Sequence, residues 1–293
     1  MIVNKLEPQG YCKGVTRAID MAFDAANKYE KPIYMLGRII HNAHVINKFK
    51  DLDIIVLEDK TKTKLELLDT INKGTIIFSA HGVSPLVYEK AKSKGLNIVD
   101  ATCPMVLLVH NKIKDYLEKG YSIIYLGTKG HPECEGVLGI SDSIIPVWSM
   151  EDIIKLPNLN DKVYITNQTT LATDETKEAF DLLKKKYPKA IIDDKICLAT
   201  TVRQQAVFNQ PKADLCIVVG DKLSSNTKKL CEVSLRTNTK TILIDSLESL
   251  DKDILNGVKT INITSGASTP DYVTDEVIEY LKRNWFNQLL FHS

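Results

Sequence analysis

The sequence predicts an α/β protein built from three pseudo-threefold-related α/β units with mainly parallel sheets, in a trefoil arrangement around a central cavity. Three observations support this prediction. Short runs rich in Ile and Val alternate with helical patterns throughout the 293 residues, as in parallel sheets covered on both faces. Cys12, Cys103 and Cys197 recur at separations of 91 and 94 residues, and each closes a strand and opens a helix. Glycines that end strands are followed, four residues later, by polar clusters.

The first unit is predicted over residues 13–102. Apolar residues at helical spacing predict a helix over 14–28. Continuous apolar runs then predict strands at 33–36, 54–57 and 75–78. A fourth run, Ile98-Val99, leads to the next cysteine.

The second unit, 103–196, repeats this order, with a helix over 105–119 and strands at 122–126, 144–148 and 163–166, and Ile191-Ile192 delivers the third cysteine. The third unit, 197–284, has a short helix stopped by Pro211, strands at 215–219, 241–244 and 260–264, and a C-terminal helix over 271–284. Residues 1–12 and 285–293 are predicted terminal segments. Each unit has three landmarks, which are a cysteine, a polar cluster after a glycine, and a later polar turn at His81, Thr169 or Ser268. All three fall at the carboxyl ends of strands, where ligands bind in such sheets.

Charge and hydropathy exclude several classes of protein. With 38 basic and 37 acidic side chains the net charge is +1, which provides no field for nucleic acid or an anionic membrane. No apolar run approaches the roughly 18 residues of a membrane span, and the first residues lack the pattern of a signal peptide. We therefore expect a cytosolic protein, in which structural disulfides are rare and cysteines serve as core, metal-ligating or redox residues.

The repeated cysteines indicate a shared metal site. Structural zinc sites use closely spaced cysteine pairs, and the chain has no C-x-x-C sequence. A 4Fe-4S cluster normally has four thiolate ligands, so Cys12, Cys103 and Cys197 would leave one iron open to a substrate. Cys216 lies inside an apolar strand and is expected to be a core residue, while Cys134 and Cys231 match no landmark.

Compact hydrogen-bonding residues recur at the other two landmarks. The positions are His41 and Asn42, His131 and Glu133, and Ser224, Ser225 and Asn226 after the glycines, and His81, Thr169 and Ser268 in a later polar turn. Donors that converge from several loops, some at helix N-termini, suit a phosphate or diphosphate. His110 matches no landmark and is expected to have a structural or surface role.

Glu133 is the carboxylate within these clusters, in the sequence Gly130-His131-Pro132-Glu133. A carboxyl group beside an apolar, metal-containing cavity suits proton delivery, because burial raises its pKa towards neutrality. The alternative is an acidic residue in a surface loop, and the sequence leaves both open. Glu135 is the weaker candidate.

Motifs along the chain resemble those of the 4-hydroxy-3-methylbut-2-enyl diphosphate reductases, enzymes of the last step of the methylerythritol phosphate route to isoprenoids. The motifs are residues 11–18 (YCKGVTRA), 41–42 (HN), 79–85 (SAHGVSP), 100–104 (DATCP), 130–133 (GHPE), 168–170 (QTT), 224–226 (SSN) and 265–268 (SGAS). The likeness runs from about residue 9 to 272.

The resemblance implies a trefoil of three α/β domains and a 4Fe-4S cluster held by Cys12, Cys103 and Cys197. It places the substrate diphosphate on His41, His81, His131, Ser224, Ser225, Asn226 and Ser268. It also implies that Glu133, Thr169 and His131 serve the catalytic step, with Glu133 as the proton source and Thr169 orienting the substrate hydroxyl. Electrons would come from a ferredoxin or flavodoxin, because the chain has no flavin or nicotinamide motif.

Two departures from the family pattern are visible, Cys134 after the glutamate and Val202 after the third cysteine, and neither removes a proposed catalytic group. Two alternative functions remain at this stage. One is a non-redox iron-sulfur hydro-lyase that acts on a phosphorylated substrate. The other is a zinc or phosphate-binding module in which the three cysteines and one histidine form a closed site.

Overall fold

The structure, a computed structural model, describes residues 1–59, 61–237 and 239–290, without the side chains of 43, 44 and 284–290. The chain divides into two compact units. The larger unit comprises residues 13–197, and the smaller combines residues 1–12 with the chain from 198 onwards. Within the described residues no helix is both long and apolar enough to cross a lipid bilayer.

The elements follow one another in the alternating order that the sequence predicts. From the start to residue 100 they are β1 (Ile2–Lys5), α1 (Lys13–Lys28), β2 (Ile33–Leu36), α2 (Ala43–Asp51), β3 (Ile54–Leu57), α3 (Lys64–Asp69), β4 (Thr75–Phe78), α4 (Pro85–Ser93) and β5 (Asn97–Asp100). From residue 104 to 192 they are α5 (Pro104–Glu118), β6 (Ser122–Leu126), α6 (Pro132–Leu138), β7 (Ile145–Val147), α7 (Met150–Lys155), β8 (Val163–Asn167), α8 (Thr173–Lys186) and β9 (Ile191–Ile192). The rest are α9 (Leu198–Phe208), β10 (Leu215–Val219), α10 (Ser225–Arg236), β11 (Thr241–Ile244), two 3₁₀ turns (Leu247–Ser249 and Lys252–Leu255), β12 (Thr260–Ser265) and α11 (Asp271–Leu290).

The described strands form three four-stranded sheets, and all of their pairings are parallel. The strand orders are β3-β2-β4-β5, β7-β6-β8-β9 and β11-β10-β12-β1. The predicted class, three α/β units with parallel sheets, is therefore confirmed. In each sheet the strand at the end of the order is the one that delivers a landmark cysteine to its loop.

β1 supplies this last strand for the third sheet, although it comes from the N-terminal segment. It pairs in parallel with β12, from Ile2 opposite Thr260 to Lys5 opposite Ile263. The predicted terminal segment 285–293 falls partly within α11, and residues 291–293 lie outside the described residues.

Helices cover both faces of the sheets, and the alternation of side chains along each strand separates two cores. In the second sheet, Ile124 and Ile165 pack with Leu183 of α8 on one face. Tyr125 packs with Val109 of α5 on the other face. Strands buried on both sides explain the continuous apolar runs in the sequence.

Candidate active site

The post-glycine landmarks have the same local structure in each sheet. The N–H groups of Gly37, Gly127 and Gly220 donate to Leu57, Val147 and Ile244, which extends the pairing of the first two strands of each sheet by one residue. The polar cluster that follows then caps a helix. Asn42 accepts from the third amide of α2, Ser224 accepts from Thr227 in α10, and His131 Nδ1 accepts from Glu133 in α6.

The later polar turns are joined to the landmark cysteines by backbone hydrogen bonds. Cys103 N–H donates to Ala80 O at 2.9 Å and Cys197 N–H to Thr169 O at 2.9 Å, both within the larger unit. In the smaller unit, Cys12 N–H donates to Ala267 O at 3.1 Å. Ala80 precedes His81 and Ala267 precedes Ser268, while the third acceptor is Thr169 itself. Each cysteine therefore lies beside a predicted substrate-binding residue of the same compact unit.

In the larger unit, three predicted substrate-binding histidines meet. The ring centroids of His41 and His81 are 4.7 Å apart, those of His81 and His131 are 5.5 Å apart, and those of His41 and His131 are 6.0 Å apart. One ring nitrogen of each lies within 4.8 Å of the other two. Imidazoles at this spacing suit an anion, and their nitrogens also suit a divalent metal ion.

The surroundings of His81 favour a neutral ring. Burial lowers the pKa of His81 well below its ordinary value, and His41 and His131 lower this pKa further because like charges repel. His131 Nδ1 accepts the Glu133 N–H at 3.2 Å, so its neutral ring carries the proton on Nε2, where it is a donor.

Glu133 is buried, with 2% of its surface exposed, so the surface-loop alternative is wrong. Its Oε1 accepts from the Thr169 N–H at 2.8 Å, and its Oε2 accepts from the Thr169 hydroxyl at 3.0 Å. Burial raises the pKa of Glu133 to about 7, although the two bonds from Thr169 favour the charged form. A carboxyl group that is half protonated near neutral pH can give or take a proton there.

The smaller unit brings together its own predicted residues. The Ser268 hydroxyl donates to Ser224 Oγ at 3.2 Å, and Asn226 Oδ1 accepts from the Ala267 N–H at 3.1 Å. Ser225 is the first residue of α10 and is half-buried, next to the capping Ser224. This group therefore combines hydroxyls with the N-terminus of a twelve-residue helix, which favours an anion.

The cysteines fall into two environments. Cys12, Cys103 and Cys197 are half-buried and lie in loops after strands. Cys216 is in the core of β10, where burial raises the pKa of its thiol to about 11, and burial raises the pKa of Cys231 to about 12. Metal ligation requires a thiolate. The raised pKa values of the core cysteines Cys216 and Cys231 therefore make them poor metal ligands at neutral pH.

Cys134, the residue that departs from the family pattern, is also a core thiol. It is buried against Tyr125 and Val137, and burial raises the pKa of its thiol to about 12. Its Sγ donates to Gln168 Oε1 at 3.4 Å. A Cβ at Gly127 would come within 2.5 Å of this sulfur, so the glycine that ends β6 is required by close packing.

Two buried polar residues shape the site without having been predicted there. The side-chain oxygen of Gln168 accepts from the Thr128 N–H at 2.9 Å, ahead of His131, and so links two landmark loops. Arg203 of α9 donates to Gly10 O at 2.9 Å, just before Cys12. Gln168 belongs to the motif noted at residues 168–170, whereas Arg203 belongs to none of the noted motifs, and the contacts assign both residues a positioning role.

Comparison with known proteins agrees with this geometry. The family model described as LytB protein matches residues 3–282. The 4-hydroxy-3-methylbut-2-enyl diphosphate reductase of Brevibacillus brevis is 44% identical over 288 residues, which cover 97% of this chain and 92% of that protein. The enzyme of the same name from Bacillus subtilis is also 44% identical over 288 residues, with 97% and 91% coverage.

Among solved structures, the E-1-hydroxy-2-methyl-but-2-enyl-4-diphosphate reductase of Plasmodium falciparum superposes with a TM-score of 0.90 at 36% identity. The match covers 96% of this chain and 87% of that one. The resemblance read from the sequence motifs is thus confirmed over nearly the whole length, and the chain belongs to the LytB protein family.

Proposed function

We propose that this chain catalyses the reductive dehydroxylation of 4-hydroxy-3-methylbut-2-enyl diphosphate to isopentenyl diphosphate and dimethylallyl diphosphate. The observation that carries the proposal is the buried Glu133–Thr169 pair beside three clustered histidines, in a chain 44% identical to reductases of this name. The histidine cluster offers binding for an anion, and Glu133 offers a proton near neutral pH.

A 4Fe-4S cluster is the proposed cofactor, with Cys12, Cys103 and Cys197 as its ligands. Their half-buried positions in loops after strands support this assignment, since the core cysteines have raised thiol pKa values. When bound, such a cluster supplies single electrons and a Lewis-acidic iron with no protein ligand.

The chain's own residues bind the substrate and move protons. His41, His81 and His131, with Ser224, Ser225, Asn226 and Ser268, are the proposed diphosphate ligands. Glu133 gives a proton to the allylic oxygen as the C–O bond breaks, so that the hydroxyl leaves as water. Thr169 holds the carboxyl group in place. Two electrons and a second proton complete the reaction, with a new C–H bond in either product.

The electrons come from outside the chain in this proposal. A ferredoxin or flavodoxin is the proposed donor, because such proteins deliver electrons singly and this sequence has no flavin or nicotinamide motif. A cytosolic location, where reduced thiols are maintained, suits a cluster held by three cysteine thiolates.

The test is anaerobic purification followed by iron and acid-labile sulfide analysis, and then turnover with the allylic diphosphate and a chemical reductant. We expect iron and sulfide in similar amounts and formation of both isoprenoid diphosphates only with reductant. Zinc without sulfide would instead support a closed zinc site. Conversion of substrate without reductant would support a hydro-lyase.

A further inference from the structure

His110, in α5, is a buried imidazole outside the predicted site. It lies seven residues after Cys103 and has 5% of its surface exposed. Its Nε2 is buried and has no hydrogen-bond partner among the described residues. Burial lowers the pKa of His110 to about 4, so the ring is neutral at pH 7. A neutral, buried ring acts on its neighbours through packing and not through charge.

The edge of this ring lies against two glycines. A Cβ built on Gly82 would be 3.3 Å from His110 Cε1, and a Cβ built on Gly136 would also be 3.3 Å from it. The Cβ on Gly136 would be 3.5 Å from the carbonyl carbon and oxygen of Gly82. The two glycine backbones are therefore in contact, with the imidazole wedged against both. We call this three-residue contact, Gly82, His110 and Gly136, the glycine wedge.

Further contacts hold the same two segments together. A Cβ on Gly139, the C-cap of α6, would be 2.3 Å from Ser84 Cβ. Lys64 Nζ lies 3.5 Å from Gly82 O and 3.6 Å from Glu135 Oε2, and so bridges the turn and the helix. The distance between α6 and the turn is thus fixed by close packing, and close packing transmits a small displacement to neighbouring residues.

The glycine wedge joins two segments that carry proposed diphosphate ligands and that come from different sheets. His81 precedes Gly82 at the end of β4, and His131 caps α6, the helix that contains Gly136. The two rings are 5.5 Å apart. Glu133 and Thr169, in contrast, both follow strands of the second sheet and bond to each other directly. Displacing the turn at Gly82 away from α6 therefore moves His81 relative to His131, while Glu133, which lies in α6, keeps its two hydrogen bonds from Thr169.

We propose that His110 is a positioning residue that sets the separation of His81 and His131, and so the fit of the site to the substrate diphosphate. The inference rests on the proposed function and adds to it a residue that acts on binding rather than on proton transfer.

The experiment compares Gly136→Ala, His110→Ala, the double variant and the parent protein in the reductase assay. Alanine favours a helix more than glycine does, so Gly136→Ala is expected to fold. Its methyl group should push the turn at Gly82 away from α6 by a few tenths of an ångström and raise KM about three- to tenfold, with kcat within twofold because Glu133 stays bonded to Thr169. His110→Ala should raise KM similarly. In the double variant the added methyl no longer meets Cε1, so the two effects should be less than additive.

Leu183→Ala is the matched control, because Leu183 is fully buried on the opposite face of the second sheet. It should lower stability and leave KM unchanged. If His110→Ala does not fold, His110→Gln, which keeps most of the volume, replaces it and is expected to give a smaller rise in KM. Calorimetry can measure the binding of inorganic diphosphate to cluster-free protein, which provides the same comparison without turnover. Gly136→Ala should raise the Kd for diphosphate by the same factor as KM.

The two proposals fail in different ways. A parent protein that binds diphosphate but has no reductase activity would overturn the proposed function only. A parent protein that turns over, with unchanged KM and diphosphate binding in Gly136→Ala, would overturn the role of His110. A loss confined to kcat, or strictly additive effects in the double variant, would also overturn it.

Discussion

Among single residues, Glu133 shows most clearly how surroundings determine chemistry. Glu133 and Glu135 lie two residues apart in one short helix, yet only Glu133 is buried and bonded to Thr169. The side chain of Glu135 is 55% exposed and faces Lys64. Burial raises the pKa of Glu133 to about 7.

Glu133→Gln should lower kcat by about two to four orders of magnitude, because the amide cannot deliver a proton, while KM and iron content stay near parent values. The pH profile provides a second check. With the pKa raised to about 7, the carboxyl group is protonated below pH 7 and loses its proton above it, so kcat of the parent should fall as pH rises through 7. Steady-state kinetics from pH 6 to 9 measure both effects.

Glu118→Gln, an exposed carboxyl group at the end of α5, is the control and should keep the parent profile. Near-normal turnover of Glu133→Gln would mean that another group protonates the departing oxygen.

The sequence identified the residues of the site better than their environments. Glu133 stood in a recognisable motif, but its burial depends on Thr169, which is 36 residues away. Cys134 follows the proposed catalytic residue Glu133 in the sequence. The contacts of Cys134 with Tyr125 and Gln168 nevertheless place its thiol in the core. Burial comes from packing between distant segments, and no local pattern encodes it.

At the scale of elements, strand ends were predicted well because each apolar run stops at a glycine or polar residue. The predicted bounds of β2, β3 and β4 agree with the structure, and α5 begins one residue earlier than predicted. Short helices such as α3, six residues long, were not predicted individually. Two turns of helix give too few apolar positions for periodicity, and the capping box of Thr63 and Glu66 was the available signal.

The α10 element is held by a close contact that can be tested. A Cβ on Gly266 would be 2.1 Å from Thr227 Oγ1, so the Ser265–Ser268 turn approaches the first turn of α10 closely. Gly266→Ala should therefore lower the free energy of unfolding by about 1–3 kcal/mol through overpacking. Thr227 Oγ1 has no hydrogen-bond partner among the described residues, so Thr227→Ala should be milder.

Combining the two substitutions should recover much of the loss, because the hydroxyl that meets the new methyl group is gone. Urea denaturation followed by circular dichroism measures all three variants. A double variant as unstable as the sum of the single ones would show that Thr227 does not restrict Gly266.

For the whole molecule, the three sheets share one strand order and one pattern of hydrogen bonds between cysteines and polar turns. The spacing of the cysteines predicted this repetition. The sequence did not indicate that β1 completes the third sheet, since parallel pairing between distant segments leaves no local trace. The side chains of Asn4 and Asn262, bonded to each other across this pair, are 258 residues apart.

Cys103→Ser should remove iron, sulfide and reductase activity together. The serine keeps the backbone N–H that donates to Ala80, so the loop should retain its fold and the loss would be specific to the thiol. Cys216→Ala, which removes a core cysteine of β10, is the control and should retain the cluster despite lower stability. Anaerobic metal analysis with circular dichroism measures content and folding together. Full iron content in Cys103→Ser would exclude this residue as a ligand.

The pairing of β1 with β12 also bears on how the chain folds during synthesis. The strands of the first two sheets emerge from the ribosome in succession, so each of those sheets can form once its own residues have been translated. β1 is made first, but it has no partner strand until Thr260–Ser265 has been added. Until then, the nascent chain carries β1 as an unpaired strand together with the landmark cysteine Cys12.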